Sequence, residues 1–168
     1  MPTKDYFQQH MPGDLCFGCG THNANGLHIQ SYWEGDDAIC IWQASEIYQG
    51  WKQLTCGGIL ATIIDCHCIA TAMATAYRNE NRSLNSEPHY LFATGSLSIK
   101  YLQPTPIHQP LVFRASTLDI QSERKYRLQC AIYANEIKTA EAEVIAFLVY
   151  RSDQPELAAP VFRPTETG

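Results

Sequence analysis

The stretch Thr55–Tyr77, TCGGILATIIDCHCIATAMATAY, constrains this chain more than any other. It is apolar on every side of a helical projection, and it carries one acidic residue, Asp65, near its middle. A helix of that kind either crosses a membrane or lies at the buried centre of a folded domain. The membrane alternative fails on the residues themselves. A span wants roughly 20 apolar residues with few charges, and a mid-span carboxylate costs about 2.5–3.5 kcal/mol on insertion scales. Two glycines open the run, and the flanks, with Lys52 before it and Arg78 and Arg82 after it, show no one-sided basic bias. Its alanines let other backbone approach closely. The segment is therefore predicted to be a helix enclosed by a sheet, and no membrane span is expected.

A chain of 168 residues is one domain on size, with room for a real core. Its 45% hydrophobic share excludes wholesale disorder. A net charge of −5 argues against a nucleic-acid partner, which would require a basic stripe. The opening MPTKDYFQQHMPGD lacks the apolar centre of a signal peptide, so a cytoplasmic protein is expected. In that reducing compartment the seven cysteines are free thiols or metal ligands, not a disulfide frame. Cys66 and Cys68 point to different sides of the helix. Cys40 and Cys130, in strand-like runs, read as small core residues.

Around the helix the periodicity alternates. Leu27–Trp33 and Ala38–Trp42 read as a hairpin across Glu34–Asp37. Beyond the helix and a polar loop, Arg78–His89, strands are predicted at Leu91–Leu102, Leu111–Asp119, Tyr126–Ala134 and Thr139–Tyr150. In the third of these, Leu128, Cys130 and Ile132 alternate with Arg127, Gln129 and Ala131. The short connections predict antiparallel hairpins between consecutive strands. The order is β-β-α-β-β-β-β, an α+β domain with one long helix against one curved antiparallel sheet. The expected boundaries are an N-terminal extension with a Cys-x-x-Cys turn over 1–26, the main domain over 27–152, and a Pro-rich tail over 153–168 that is poorly ordered at its end.

Three stretches carry a family resemblance. CFGCGTHNANGLHIQ, Cys16–Gln30, resembles the C-F-x-C-G…N-x-x-G-L opening of a subset of hotdog-fold thioesterases. YQGWKQLTCGGILATIIDCHCIATA, Tyr48–Ala72, resembles the H-G-G-x6-D helix start of acyl-CoA thioesterases of the phenylacetate-pathway type, and GSLSIKYLQPTP, Gly95–Pro106, the strand and turn that follow it. Together they span most of residues 14–150. The resemblance implies a hotdog fold, hydrolysis of an acyl-CoA or related acyl thioester, no cofactor, and a homodimer or tetramer with sheet edges paired. A departure accompanies it: where the family has His or Asn before Gly-Gly, this chain has Cys56.

The residues make chemical sense of the resemblance. Gly57 and Gly58 begin the helix, so their N–H groups lack helical acceptors and sit at the positive end of the macrodipole. Such donors suit the oxyanion of a thioester carbonyl, and glycine lets the substrate approach the backbone. The same pair also serves close packing of helix on sheet; the resemblance favours the oxyanion role. It implies that Asp65 is the catalytic carboxylate, as nucleophile or as general base for water. Asp65 stands eight residues past Gly57, about 12 Å along a helix. One reacting carbon must sit about 3 Å from the base and near the donors, so a working site takes Gly57 from one subunit and Asp65 from its partner. Gln49 matches a stretch where related enzymes place a polar side chain near the water.

Cys56, Thr62 and His67 are candidate substrate contacts. Mid-helix Thr more often bonds its own i−4 carbonyl. His67 diverges from Asp65 by about 200° around the helix, so it reads as a core histidine or as a contributor to the partner's site. Cys16-x-x-Cys19 with His22 offers three metal ligands, not four. His10, His28, Cys66 and His67 are candidate fourths if the N-terminal segment lies over the helix. The preferred reading assigns no metal and takes this turn as a wall closing one mouth of the pocket. A non-catalytic acyl-thioester-binding protein of the same fold is the alternative function. A hotdog dehydratase ranks last, since it needs a helix-entry His.

Overall fold

The structure, a computed structural model, describes residues 4–11 and 15–164. The apolar run forms one helix, α1, Gly57–Asn79. The Cys56 carbonyl accepts its first bonds, from the N–H groups of Ile59 and Leu60. It ends in a Schellman arrangement: Arg82 N–H reaches the Tyr77 carbonyl at 2.9 Å and Asn81 N–H the Arg78 carbonyl at 3.0 Å. Asn81 supplies the left-handed residue this requires, at φ 53°. The helix is long and apolar enough to cross a membrane, yet 67% of its apolar window is buried inside the fold. Leu60, Ile63, Ile64 and Met73 are all within 1% of complete burial. Each such side chain contributes about 1.5–3 kcal/mol, which is why this sequence cannot leave the helix on a surface.

Six strands wrap it: β1 Ser31–Glu34, β2 Asp37–Gln43, β3 Tyr90–Tyr101, β4 Pro110–Ser122, β5 Lys125–Ala134 and β6 Ile137–Arg151. All neighbours are antiparallel, in the order β1-β2-β4-β5-β6-β3. This is the hotdog fold, one helix enclosed by a curved antiparallel sheet. The alternation predicted for β5 holds: Leu128, Cys130 and Ile132 face the core. Asn135 and Glu136, at φ 46° and 67°, make the tight turn into β6.

The expected hairpin between β3 and β4 does not form. β3 pairs with β6 instead, in register from Tyr90 with Arg151 to Tyr101 with Ala140. Tight turns stack β4, β5 and β6 as a meander, which leaves the far edge of β6 free to receive β3. The 102–109 connection then crosses to β4, and it is pinned to the helix entry on the way. Thr55 N–H reaches the Thr105 carbonyl at 2.7 Å and Ile107 N–H the Gln53 carbonyl at 3.1 Å. β1 is also shorter than expected. Leu27 and Ile29 are buried, but their N–H groups bond the Phe17 and Gly18 carbonyls rather than a strand.

The N-terminal segment joins the core. Phe7 is fully buried against Trp33, with ring centroids 5.1 Å apart. Gln8 holds Ser31 twice, through Nε2 to Oγ at 2.9 Å and through Oε1 to the backbone N–H at 2.7 Å. Poor order was expected at the end of the tail, and residues 165–168 lie outside the described residues. Up to residue 164 the tail forms two short 3-10 turns, Pro155–Leu157 and Pro160–Phe162. The Arg163 guanidinium braces them by donating to the Glu156 and Ala158 carbonyls.

His67 extends the Gln8–Ser31 pair across the core. Its Nε2 donates to the Ala38 carbonyl at 3.1 Å, so its Nδ1 accepts from Ser31 Oγ at 2.8 Å. The ring is fully buried and neutral, and burial pushes its pKa down from 6.5 to about 4, against two carbonyl contacts that raise it. Above pH 6.5 this costs nothing. Between 6.5 and 4 the unfolded chain binds a proton that the folded chain refuses, so stability falls as pH falls, by up to about 3 kcal/mol. Urea unfolding at pH 7 and at pH 4.5 should show this loss, and His67→Gln should lack most of it.

Candidate active site and its cavity

Asp65 lies on the third turn of α1, half-buried, and its carboxylate accepts a hydrogen bond from Thr94 Oγ1 of β3. The two line a cavity of roughly 250 Å³ between α1, β3 and the N-terminal turn, with Cys66, Phe92, Cys16 and Cys19 around them. β3 is an edge strand, unpaired on its outer side, so the cavity sits where a second chain could add to the sheet. Beside Thr94 the strand bulges at Gly95. A Cβ there would lie 2.3 Å from the Phe147 ring, so glycine is what lets Phe147 cover the strand at this point.

The helix entry is a second locus on the same helix. Gly57 and Gly58 are its first residues, and among the described contacts their N–H groups have no acceptor. Tyr101 Oη donates to the Gly57 carbonyl at 2.8 Å, which fixes the orientation of that first peptide. Burial pushes the Tyr101 phenol's pKa up, and Cys56 adds to this, so it remains a donor. Cys56 is the N-cap position, and its thiol caps no helix N–H. Gln49 is exposed, and its Oε1 accepts the Gln53 N–H at 3.2 Å within the loop that leads to the helix.

Within one chain, Gly57, Gly58, Gln49, Cys56 and Thr62 do not line the Asp65 cavity. Thr62 donates to the Gly58 carbonyl at 3.0 Å, the i−4 bond common for mid-helix Thr. His67 does not line this cavity either. It points away from Asp65, is fully buried, and has both ring nitrogens bonded in the core.

Sequence reasoning missed Thr94, an ordinary residue for a strand, whose role depends on which strand covers α1. Of the candidate companions that the sequence offered to Cys16 and Cys19, the fold brings Cys66 to them. The turn at Cys16–Gly20, closed by Gly20 N–H on the Cys16 carbonyl at 2.8 Å, lies on α1 over Cys66. Cys16 Sγ and Cys66 Sγ are 3.6 Å apart. The Cys19 thiol is pulled down to about 7, first by a hydrogen bond from Cys66, with burial and Asp65 opposing. Cys66 is pushed up, chiefly by that same bond to Cys19 and then by burial. Cys68 faces the other way, against Cys130 in the core.

Gly18 permits this contact. A Cβ at Gly18 would stand 2.3 Å from Cys66 Sγ and 3.2 Å from Thr62 Cγ2. Gly18→Ala should therefore push the turn off the helix and cost about 1–3 kcal/mol, read as a lower urea midpoint with an unchanged slope.

No protein-family model and no curated protein sequence matches the chain. Solved structures do. A thioesterase superfamily protein from Shewanella loihica PV-4 is 25% identical, with a TM-score of 0.59 over 73% of this chain and 91% of that one. The PaaI protein of the phenylacetic acid degradation operon of E. coli is 12% identical, with a TM-score of 0.60 over 74% of this chain and 82% of that one. The smu.793 protein of Streptococcus mutans UA159, solved bound to acetyl CoA, is 13% identical, with a TM-score of 0.59 over 73% and 90%. The chain thus has the fold of thioesterase-superfamily proteins, and at this level its likeness includes the phenylacetate-operon protein expected from the helix-start residues.

Proposed function

We propose that this chain hydrolyses an acyl thioester of the coenzyme A class, with Asp65 as the carboxylate that activates water or attacks the carbonyl. The observation that carries the reading is the position of Asp65. A carboxylate stands half-buried on the central apolar helix, in a cavity at a sheet edge, with Thr94 as its one side-chain hydrogen-bond partner among the described contacts. Leaving an idle charge there is costly. The structural neighbours, thioesterase-superfamily proteins and one holding acetyl CoA, support the substrate class. The Gly57 and Gly58 amides are the oxyanion donors in this reading, with Gln49 and Cys56 near the thioester. Residues 27–152 form the catalytic domain, 1–26 its cover, and 153–168 a tail.

The site is shared between two copies. Asp65 and Gly57 are separated along one helix by about 12 Å, too far to serve one carbonyl from a single chain. The open edge of β3 next to Asp65 gives the second copy a place to pair. Light scattering at micromolar concentration should give at least twice the 18.9 kDa of the chain; a mass near 18.9 kDa would remove the shared site. Activity itself is tested by thiol release from a panel of acyl-CoA esters. Binding of acyl-CoA without thiol release would favour the non-catalytic alternative, which the Cys56 departure supports.

A further inference from the structure

Among the described residues there is one place where three metal-ligating side chains converge: the sulfurs of Cys16, Cys19 and Cys66 all lie within 4.8 Å of one another. A tetrahedral zinc with Zn–S of about 2.3 Å sets its sulfurs about 3.8 Å apart. The Cys16–Cys66 separation of 3.6 Å is close to that edge length. The three thiols come from two directions, a tight turn and a helix, and Gly18 is the residue that lets the turn descend onto the helix. They are also graded in exposure, with Cys66 buried, Cys19 half-buried and Cys16 exposed. An ion can thus enter from solvent and be held from below. The cluster lines the same cavity as Asp65.

We propose that Cys16, Cys19 and Cys66 form a three-thiolate metal site of the zinc class, with its fourth position open to the cavity beside Asp65. Three protein ligands and one open position make a recognised zinc arrangement, and thiolates select zinc over the hard cations. Each thiol that binds gives up its proton to solvent, so uptake by the reduced protein releases protons. Three thiolates on a dication leave the site with one net negative charge, which suits a clamp better than an anion-binding centre. The clamp ties the Cys16–Gly20 turn to α1 and fixes the wall of the Asp65 cavity. A disulfide would use only two of the three sulfurs and would leave the third without a role.

The test does not depend on thioesterase activity. Reduced, chelator-stripped protein is titrated with zinc against a chromophoric chelator, and with cobalt to read thiolate-to-cobalt charge transfer. The expected result is one metal per chain with a charge-transfer band. Cys16→Ser and Cys19→Ser, both chosen because these residues are not in the core, should fold by circular dichroism. They should weaken zinc binding by more than about 100-fold, beyond the loss seen when only a ligand's supporting partner is removed. Cys56→Ser, outside the cluster, should bind as the parent does. Zinc binding no tighter in the parent than in Cys16→Ser overturns the proposal. So does a reduced parent that takes up no metal but, in air, with dioxygen as oxidant, forms a Cys16–Cys66 disulfide, seen as a loss of two hydrogens in the linked Cys16 and Cys66 peptides.

Discussion

Asp65→Asn should abolish most thioester hydrolysis while leaving the fold and the binding of acyl-CoA in place. The substitution keeps an oxygen to accept the Thr94 hydroxyl bond, so the local contact between α1 and β3 survives. It removes the negative charge and with it the ability to take a proton or attack a carbonyl. Positioned general bases contribute about 10²–10⁴ in rate, so turnover should fall by about that factor. KM should change far less, because in the proposed mechanism the carboxylate acts in the transition state and not in ground-state binding. Thr94→Val separates positioning from chemistry: it removes the hydroxyl that orients Asp65 but leaves the charge. Its turnover should lie between parent and Asp65→Asn. An Asp65→Asn protein that folds and turns over at the parent's rate would show that this carboxylate has no chemical role.

The fold was largely legible because its determinants are local. An unbroken apolar run of helical length has few soluble destinations, and period-two alternation in β5 shows which face meets the helix. What was not legible was pairing. β3 and β4 are separated by a connection short enough for a hairpin, and nothing in either strand says that β3 belongs beside β6. That choice depends on the meander of β4, β5 and β6 presenting a free edge. The site divides the same way. Asp65 stood out as a charge in an apolar helix, whereas Thr94 could be found only once β3 was placed over α1. The Cys-x-x-Cys turn was visible, and Cys66 was one of several candidate companions. Only the descent of the turn at Gly18 selects it from among them.

The helix-entry amides make the second large prediction. Gly57→Val should reduce turnover by about 10²–10³, the cost of losing one oxyanion donor, with a much smaller effect on stability. A Cβ at Gly57 would stand 3.4 Å from the Tyr101 ring and hydroxyl, ordinary contact at the edge of tightness. The branched methyls add bulk at the helix entry, where an acyl carbonyl would have to approach the first helical N–H groups. Tyr101 is 52% exposed and can swing away, so the fold tolerates the change. The proposed sharing of the site between two copies gives this variant a sharper use. Gly57→Val and Asp65→Asn should each be nearly inactive as homodimers, for different reasons. When the two are mixed and allowed to exchange subunits, each heterodimer holds one site with both defects and one with neither. The intact site pairs the glycine entry of the Asp65→Asn chain with the carboxylate of the Gly57→Val chain. At equal mixing half of the dimers are heterodimers, each with one working site of two, so activity should recover to about a quarter of the parent's, far above either variant alone, by the logic of independent sites. If mass spectrometry confirms exchange and the mixture stays as inactive as its components, Gly57 and Asp65 do not serve one substrate across an interface.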